Sequence, residues 1–270
     1  MRLLFIGDIV GRPGRELVKR GLPYLVEQHA IDLVIANAEN AAAGFGVTRE
    51  IGDQLLEWGV DVMTSGNHIW DKREAIDYIG AEPRLLRPAN FPAGVPGNGS
   101  YLARTRDGQP VGIINVMGRV FMHNLDDPFA VVQREIDALR PRARVIFVDF
   151  HAEATSDKQT MGRFLDGRVT AVLGTHTHVT TADEQIFPGG TAFQCDVGMT
   201  GPYESILGRR IDRVMETTLT FRPTEFHVAT GDVRLAATLV EIDPAQGRAT
   251  RIERIHVKES EVGGSSEGKT

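Results

Sequence analysis

The sequence has a single cysteine, Cys195, among its 270 residues. One cysteine cannot form a disulfide within the chain, so a disulfide-stapled secreted fold is excluded and a reducing, cytoplasmic location is expected. No apolar run approaches the roughly 18 residues of a membrane span, and the N-terminus lacks the pattern of a signal peptide, so no membrane association is expected. Basic residues number 30 against 36 acidic ones. This balance does not predict a general nucleic-acid-binding surface.

What the sequence does contain is ordinary globular composition, with 41% hydrophobic and 24% charged residues. Short apolar runs rich in Val, Ile and Leu recur along the first two-thirds of the chain. They predict strands buried on both faces of a sheet: Arg2–Ile6, Leu33–Asn37, Val60–Ser65, Val111–Val116, Val145–Phe150 and Val169–Gly174. Helix-like segments separate them: Gly14–His29, Thr48–Trp58, Lys72–Ile79, Pro128–Leu139 and Asp157–Leu165. This alternation predicts an α/β fold with a largely parallel sheet.

Beyond residue 180 the pattern changes. Two hairpins are predicted, one around Pro188-Gly189-Gly190 and one around residues 243–247, with a helix over Tyr203–Met215 between them. These strands are expected to extend or face the first sheet, so that residues 1–262 form a single domain. The Gly- and Ser-rich tail, residues 263–270, is expected to be disordered.

Polar side chains follow directly after the predicted strands. Because ligands bind outside the carboxyl ends of strands in open α/β sheets, these side chains are expected to meet at one edge. The candidates are Asp8, Glu39, Asn40, Asn67, His151, His176 and His178. Each of them alone has an ordinary structural explanation as a turn former, helix cap or buried histidine. Their combination favours a metal site.

The donor types suit divalent metals such as manganese, iron, zinc or cobalt. The set has no thiolate, which argues against a structural zinc site, and seven donors exceed what one tetrahedral ion needs. Two ions sharing Glu39 as a bridging carboxylate would use them. Two divalent ions also leave the pocket positive, which attracts a phosphate group, and a hydroxide bridging both ions would attack phosphorus.

His68 differs from the other histidines because it directly follows the candidate ligand Asn67. The sequence predicts that it acts as the general acid for the leaving oxygen or stabilises charge on the phosphoryl group. Asp71 is a candidate to orient its imidazole, or to cap the next helix. No substrate-binding residue is identified from the sequence. Phe45 and Trp70 are candidates for stacking on a base, with core packing as the alternative for both.

These residues resemble the calcineurin-like binuclear metallophosphoesterases. The resemblance covers residues 1 to about 210 and is carried by Gly7-Asp8, Asn37-Ala38-Glu39-Asn40, Gly66-Asn67-His68, His151 and Gly174-Thr175-His176-Thr177-His178. The stretches GDIVGRPG, NAENAAAGFGVT, GNHIWDKRE, DFHAEATSDK and DVGMTGPYESILG are similar to the YmdB-like branch. That resemblance implies a four-layer α/β/β/α sandwich with mixed sheets, a dinuclear iron or manganese site and phosphodiesterase activity on cyclic nucleotides, 2′,3′-cyclic ones and 3′,5′-cAMP among them.

The resemblance also implies how the ligands divide between the ions. It assigns Asp8, Glu39, Asn40 and His178 to one metal, and Glu39, Asn67, His151 and His176 to the other. Two positions depart from the broader superfamily: Val10 stands where a histidine is usual, and Glu39 where an aspartate is usual. Asn40 is the candidate to replace the lost imidazole.

Two alternative functions stay open. The same site would serve a phosphomonoesterase or 5′-nucleotidase, since the ligands do not distinguish monoesters from diesters. A regulatory protein that binds a nucleotide or an RNA end with little turnover is the other alternative. Cys195 is interpreted as a buried hydrophobe and not a nucleophile. The Gly198–Gly208 loop and the C-terminal hairpin offer surfaces for a homo-oligomer, and the loop is equally suited to covering the metal edge.

Overall fold

The computed structural model describes residues 1–262. The expectation of a disordered tail concerns residues 263–270 and lies outside the described residues. Within residues 1–262, no helix combines the length and apolarity needed to traverse a bilayer.

Six helices and thirteen strands are assigned within the described residues. The helices are α1 (Gly11–His29), α2 (Arg49–Glu57), α3 (Arg73–Ala81), α4 (Pro128–Leu139), α5 (Thr155–Leu165) and α6 (Ile211–Thr220). The strands are β1 (Arg2–Ile6), β2 (Asp8–Ile9), β3 (Leu33–Asn37), β4 (Val62–Thr64), β5 (Ser100–Arg104), β6 (Pro110–Met117), β7 (Val145–His151), β8 (Ala171–Thr175), β9 (Gln185–Ile186), β10 (Ala192–Gln194), β11 (Met199–Glu204), β12 (Gly231–Asp243) and β13 (Arg248–Lys258).

The strands form two mixed sheets. The first has the order β2-β11-β12-β1-β3-β4, with β13 paired to β12, and the second has the order β5-β6-β7-β8-β10-β9. Strands β1, β3 and β4 are parallel and form one end of the first sheet, and strands β6, β7 and β8 are parallel within the second. Strand β12 is antiparallel to both β1 and β11, so the first sheet is mixed and not mainly parallel.

Three hydrophobic clusters separate four layers. Helix α1 contacts β11 and β12, and its Leu17 and Leu22 join the cluster that covers one face of the first sheet, Leu4 of β1 included. The opposite face of β1 packs into the space between the sheets, where Phe5 meets Phe147 of β7 edge to face at 4.9 Å between ring centroids. On the outer face of the second sheet, α4 and α5 cover Ile146 and its neighbours. Burial on both faces explains why the strand runs are continuously apolar, and it confirms the α/β/β/α sandwich.

All six apolar runs contain strands, and both predicted hairpins are present as β9–β10 and β12–β13. The Thr48 hydroxyl caps α2 by accepting the amide of Ile51 at 3.3 Å. The helix predicted over Tyr203–Met215 is wrong in its first half. Residues 199–204 form β11, and the helix begins only at Ile211. Long-range pairing of β11 with β2 and β12 decides this, because local sequence pattern does not report partners far along the chain.

Candidate metal centre

The carboxyl ends of β1, β3, β4, β7 and β8 lie at one edge of the sandwich. These strand ends and the segments that follow them bring all seven predicted ligands into one chain of contacts. Gly66 makes this approach possible. A Cβ atom at that position would collide with the imidazole of His151 and the carboxylate of Glu39. Close packing of backbone against the cluster therefore requires a glycine after β4.

One group of donors surrounds the amide of Asn40. Its Nδ2 lies 3.5 Å from Asp8 Oδ1, 3.2 Å from Glu39 Oε1 and 3.2 Å from His178 Nε2. His178 Nε2 also lies 3.9 Å from Asp8 Oδ1. These four residues are the set that the resemblance assigns to one metal. Ligation by Asn40 requires its amide to rotate, because its nitrogen now faces the atoms that would share the ion.

A second group surrounds the imidazole of His151. Its Nε2 lies 3.1 Å from Glu39 Oε1, 3.0 Å from Asn67 Oδ1 and 3.1 Å from His176 Nδ1. Donor atoms of Glu39, His151 and His176 all lie within 4.8 Å of one another. Glu39 Oε1 contacts both groups, which is the position expected of a carboxylate shared by two ions.

The second group fits a cation better than it fits hydrogen bonding alone. An imidazole nitrogen carries at most one proton, yet His151 Nε2 lies at hydrogen-bond distance from three atoms. These are a carboxylate oxygen of Glu39, the amide oxygen of Asn67 and a ring nitrogen of His176. One proton cannot serve three such partners, whereas a cation accepts lone pairs from all four atoms. The absence of sulfur donors and the mix of imidazole and oxygen suit a transition metal such as iron or manganese.

The pKa values of Glu39, His151 and His176 show which of these groups carries a proton when no cation is bound. Burial disfavours the charged form of Glu39, but His151 and the backbone amide of His68 outweigh it and lower the pKa of Glu39 to about 2. Burial acts against His151 as well, but the adjacent Glu39 raises the pKa of His151 to about 9. Burial and the charge on His151 lower the pKa of His176 to about 3. His151 therefore carries a proton beside the ionised Glu39 at neutral pH, and a cation bound to His151 Nε2 would have to displace that proton.

His68 lies beside the cluster without joining it. Its backbone amide donates to Glu39 Oε2 at 3.1 Å, and its ring Nδ1 lies 2.8 Å from Asp71 Oδ2. Asp71 is therefore placed to orient the imidazole, which was one of its two roles suggested by the sequence. The other suggested role was to cap the next helix, but α3 begins at Arg73 and its N-cap is Lys72. Phe45 packs its ring edge to face against His68 at 5.0 Å, whereas Trp70 packs against Phe91 near the core.

Several residues that support the cluster were not recognised in the sequence. Asp149 is fully buried beneath it and accepts hydrogen bonds from Thr64, Thr175 and Asn37. Burial raises the pKa of Asp149 to about 7. The only available signal was a lone Asp within an otherwise apolar strand, which is unusual for a strand buried on both faces.

Two more supporting contacts fix the histidine rings. Glu153 Oε2 lies 3.0 Å from His176 Nε2, and the carbonyl oxygen of Leu207 lies 3.1 Å from His178 Nδ1. Partners of this kind set the tautomer and ring direction of metal-binding histidines. The segment Gly198–Gly208 is not a loop throughout, because most of it forms β11, but the Leu207 contact shows that the turn after this strand reaches the metal edge.

Comparisons with known proteins show the family to which this chain belongs. A family model described as YmdB-like protein matches residues 4–255. A Bacillus subtilis (strain 168) protein named 2′,3′-cyclic-nucleotide 2′-phosphodiesterase is 46% identical over 262 residues, covering 97% of this chain and 99% of that protein. A Mycoplasma genitalium protein named as a phosphatase/phosphodiesterase is 32% identical, covering 95% of this chain and 93% of that protein.

Solved structures show the same fold. A protein from Thermus thermophilus superposes with a TM-score of 0.90 at 42% identity, covering 96% of this chain and 100% of that one. A Mycoplasma pneumoniae protein described as a phosphatase gives a TM-score of 0.88 at 31% identity, covering 96% and 93%. Together with these relatives, the fold and the cluster place the chain among phosphoester hydrolases of the metallophosphoesterase type. Within that class, the chain belongs to the YmdB-like family.

Proposed function

We propose that this protein is a two-metal phosphodiesterase that hydrolyses cyclic nucleotides, chiefly 2′,3′-cyclic nucleotides and also 3′,5′-cAMP. The observation that carries the proposal is the convergence of seven residues with oxygen or nitrogen donors, from the carboxyl ends of five strands and the segments after them, around Glu39. The substrate class comes from the name of the Bacillus subtilis relative, which matches nearly the whole chain.

Asp8, Glu39, Asn40 and His178 would hold one ion, and Glu39, Asn67, His151 and His176 the other. We expect both ions to be iron or manganese, given the donor set. When bound, the two ions lower the pKa of a water molecule for attack on phosphorus and neutralise charge on the phosphoryl oxygens. Asp8 and Glu39 are almost completely buried, which keeps bulk water away from their carboxylates. Burial raises the pKa of Asp8, whereas the neighbouring His151 keeps Glu39 ionised.

His68 would protonate the ester oxygen that leaves the phosphorus. Its Nδ1 is engaged by Asp71, so its Nε2 is the nitrogen left to face a substrate. The contact with Asp71 fixes the direction of the imidazole ring, and a general acid must carry a proton before the P–O bond breaks. After transfer of the proton to the ribose oxygen, His68 recovers one from solvent.

The direct test is a substrate panel assayed with metal-stripped protein and with protein reloaded with Mn²⁺ or, anaerobically, Fe²⁺. We expect hydrolysis of 2′,3′-cyclic nucleotides only after reloading, with about two ions per chain. Normal turnover by stripped protein would overturn the two-metal proposal. Tight nucleotide binding without product would instead support the regulatory alternative.

A phosphomonoesterase is the second candidate, because the Mycoplasma relatives carry the name phosphatase as well as phosphodiesterase. Rates on 4-nitrophenyl phosphate and bis(4-nitrophenyl) phosphate separate the two. A faster rate on the diester supports the phosphodiesterase, and a preference for the monoester supports the alternative.

We also propose that the protein forms a homo-oligomer, as expected from the sequence. Helix α6 buries none of its side chains, and Ile211, Met215 and Leu219 recur on it at four-residue spacing. Such spacing places all three on one helix face. Light scattering after size exclusion measures the mass directly, and a monomeric mass at working concentration would contradict the oligomer.

A further inference from the structure

A lysine is buried beneath the loop that carries His176 and His178. Lys158, on α5, exposes 3% of its side chain. Its Nζ donates to Asp196 Oδ2 at 2.6 Å and to the carbonyl oxygen of Thr175 at 2.9 Å. Burying two charges is costly unless they are paired and fully hydrogen-bonded.

The Asp196 carboxylate reaches from this lysine to the residue between the two histidines. Its Oδ2 accepts the backbone amide of Thr177 at 3.0 Å and the Thr177 hydroxyl at 2.8 Å. Its Oδ1 accepts the amide of Gly198 at 2.8 Å. Thr177 is therefore turned towards Asp196, on the side of the loop away from the metal donors.

The backbone of this loop adopts conformations that are unfavourable for its residues. His176 has a φ of 102° and His178 a φ of 64°. Both values lie at positive φ, which is unfavourable for residues other than glycine. Such conformations persist only where the surroundings hold them in place. Lys158 fixes the carbonyl of Thr175, and Asp196 fixes Thr177, so the anchors lie on both sides of His176.

Held in this conformation, His176 and His178 both contact other predicted metal ligands. The amide of His176 donates to Asp8 Oδ2 at 3.1 Å, its ring faces His151, and the ring of His178 faces Asn40. Gly174 provides the necessary room: a Cβ atom there would collide with the carbonyl of Cys195 and lie 3.2 Å from Lys158 Cδ. The buried pair and the two donor histidines are thus built on a single short stretch of chain.

We infer that the Lys158–Asp196 pair is a positioning unit for the metal ligands, which holds Thr177 so that His176 and His178 both face the ions. Neither residue of the pair is catalytic, because neither touches the donor atoms. The inference rests on the proposed function, since it requires that the cluster hold metal.

The experiment measures how fast a chelator removes Mn²⁺ from the loaded full-length protein. Thr177→Val deletes one hydroxyl contact and keeps both charges, while Lys158→Met combined with Asp196→Asn removes both charges together. Supporting partners of metal ligands typically change affinity by about 10- to 100-fold. We expect metal loss about 10- to 100-fold faster in the double variant and about threefold faster in Thr177→Val.

Leu165→Ala is the matched control, because Leu165 lies on the same helix, is fully buried, and faces the core instead of the loop. It should lower the melting temperature and leave the rate of metal loss at the wild-type value. The inference is overturned if Leu165→Ala loses metal as fast as the double variant, or if Thr177→Val and the double variant both retain metal like the wild type. Wild-type protein that holds no metal would overturn the proposed function as well. Two retained ions with unaffected variants would overturn the positioning inference alone.

Discussion

Two regions of this molecule differ in how they are held in place: one by contacts with distant parts of the chain, the other mainly by contacts within itself. The stretch from Gly174 to Gly198 is held by side-chain hydrogen bonds from three distant segments and by a buried ion pair. The segment from Ile211 to Phe226 folds mainly on itself, through contacts such as Thr224 Oγ1 with Thr217 Oγ1 at 2.7 Å. In that segment Leu219 and Phe221 expose 71% and 93% of their surface.

The difference shows what each region can do. A cluster of donors must be fixed to fractions of an ångström, and the buried, fully bonded polar groups beneath it provide that precision. A ten-residue helix without buried side chains has little to stabilise it beyond its own hydrogen bonds, since isolated helices of that length are marginal in water. The following predictions test whether function depends on the first region and whether the second is free of core packing.

The largest effect is expected at the carboxylate that contacts both donor groups. Glu39→Gln removes a negative charge shared by the two ions, so turnover should fall by about 1000-fold or more and metal content should drop. Kinetics together with metal analysis measures both. Wild-type turnover in this variant would contradict the proposal that Glu39 is shared by the two ions.

The single thiol tests how firmly the anchored region stays closed. Burial and the neighbouring Asp183 raise the pKa of Cys195 to about 12, against an ordinary value of 9.0. Because only the thiolate reacts, alkylation of the native protein at pH 8 should be about 1000-fold slower than in the unfolded chain. The native rate should keep rising about tenfold per pH unit, where the rate of an ordinary thiol levels off near pH 9. Equal rates for native and unfolded protein would show that this region opens readily.

A smaller loss is expected at His68, which lies beside the donors without joining them. His68→Ala should lower kcat by about 100-fold and leave the metal content unchanged. The loss should shrink on bis(4-nitrophenyl) phosphate, because nitrophenolate leaves without protonation. Asp71→Asn is the matched variant and should produce a weaker effect of the same kind. Loss of metal in His68→Ala would place this residue among the ligands instead.

The same substitution in the two regions should give the smallest effect in the exposed segment. Leu219→Ala should change the free energy of unfolding by less than about 0.5 kcal/mol, as is usual for exposed positions. Leu173→Ala, at a fully buried position of β8, should cost about 2–5 kcal/mol. Denaturant unfolding of both variants provides the comparison. A large cost at Leu219 accompanied by a lower molecular mass would mean that a second copy of the chain covers α6.

Many of the strands and helices could be predicted from the local sequence pattern. The apolar runs marked the central strands because burial on both faces leaves no polar alternation. The seven donors were predicted as one group because strand ends meet at a sheet edge, and Thr48 was recognised from the chemistry of helix caps. The strand β11 was missed, since its identity depends on pairing with β2 and β12, nearly 200 residues and about 30 residues away in the chain.

The order of residues alone thus determined which side chains were available for chemistry, because their types and their places after apolar runs are properties of the chain itself. Only the folded molecule decided which of them support the others. Glu153 beside His176, Asp149 beneath Thr64, and Lys158 against Asp196 are pairs that meet only when separate strands and helices pack together, and a linear pattern carries no record of such encounters.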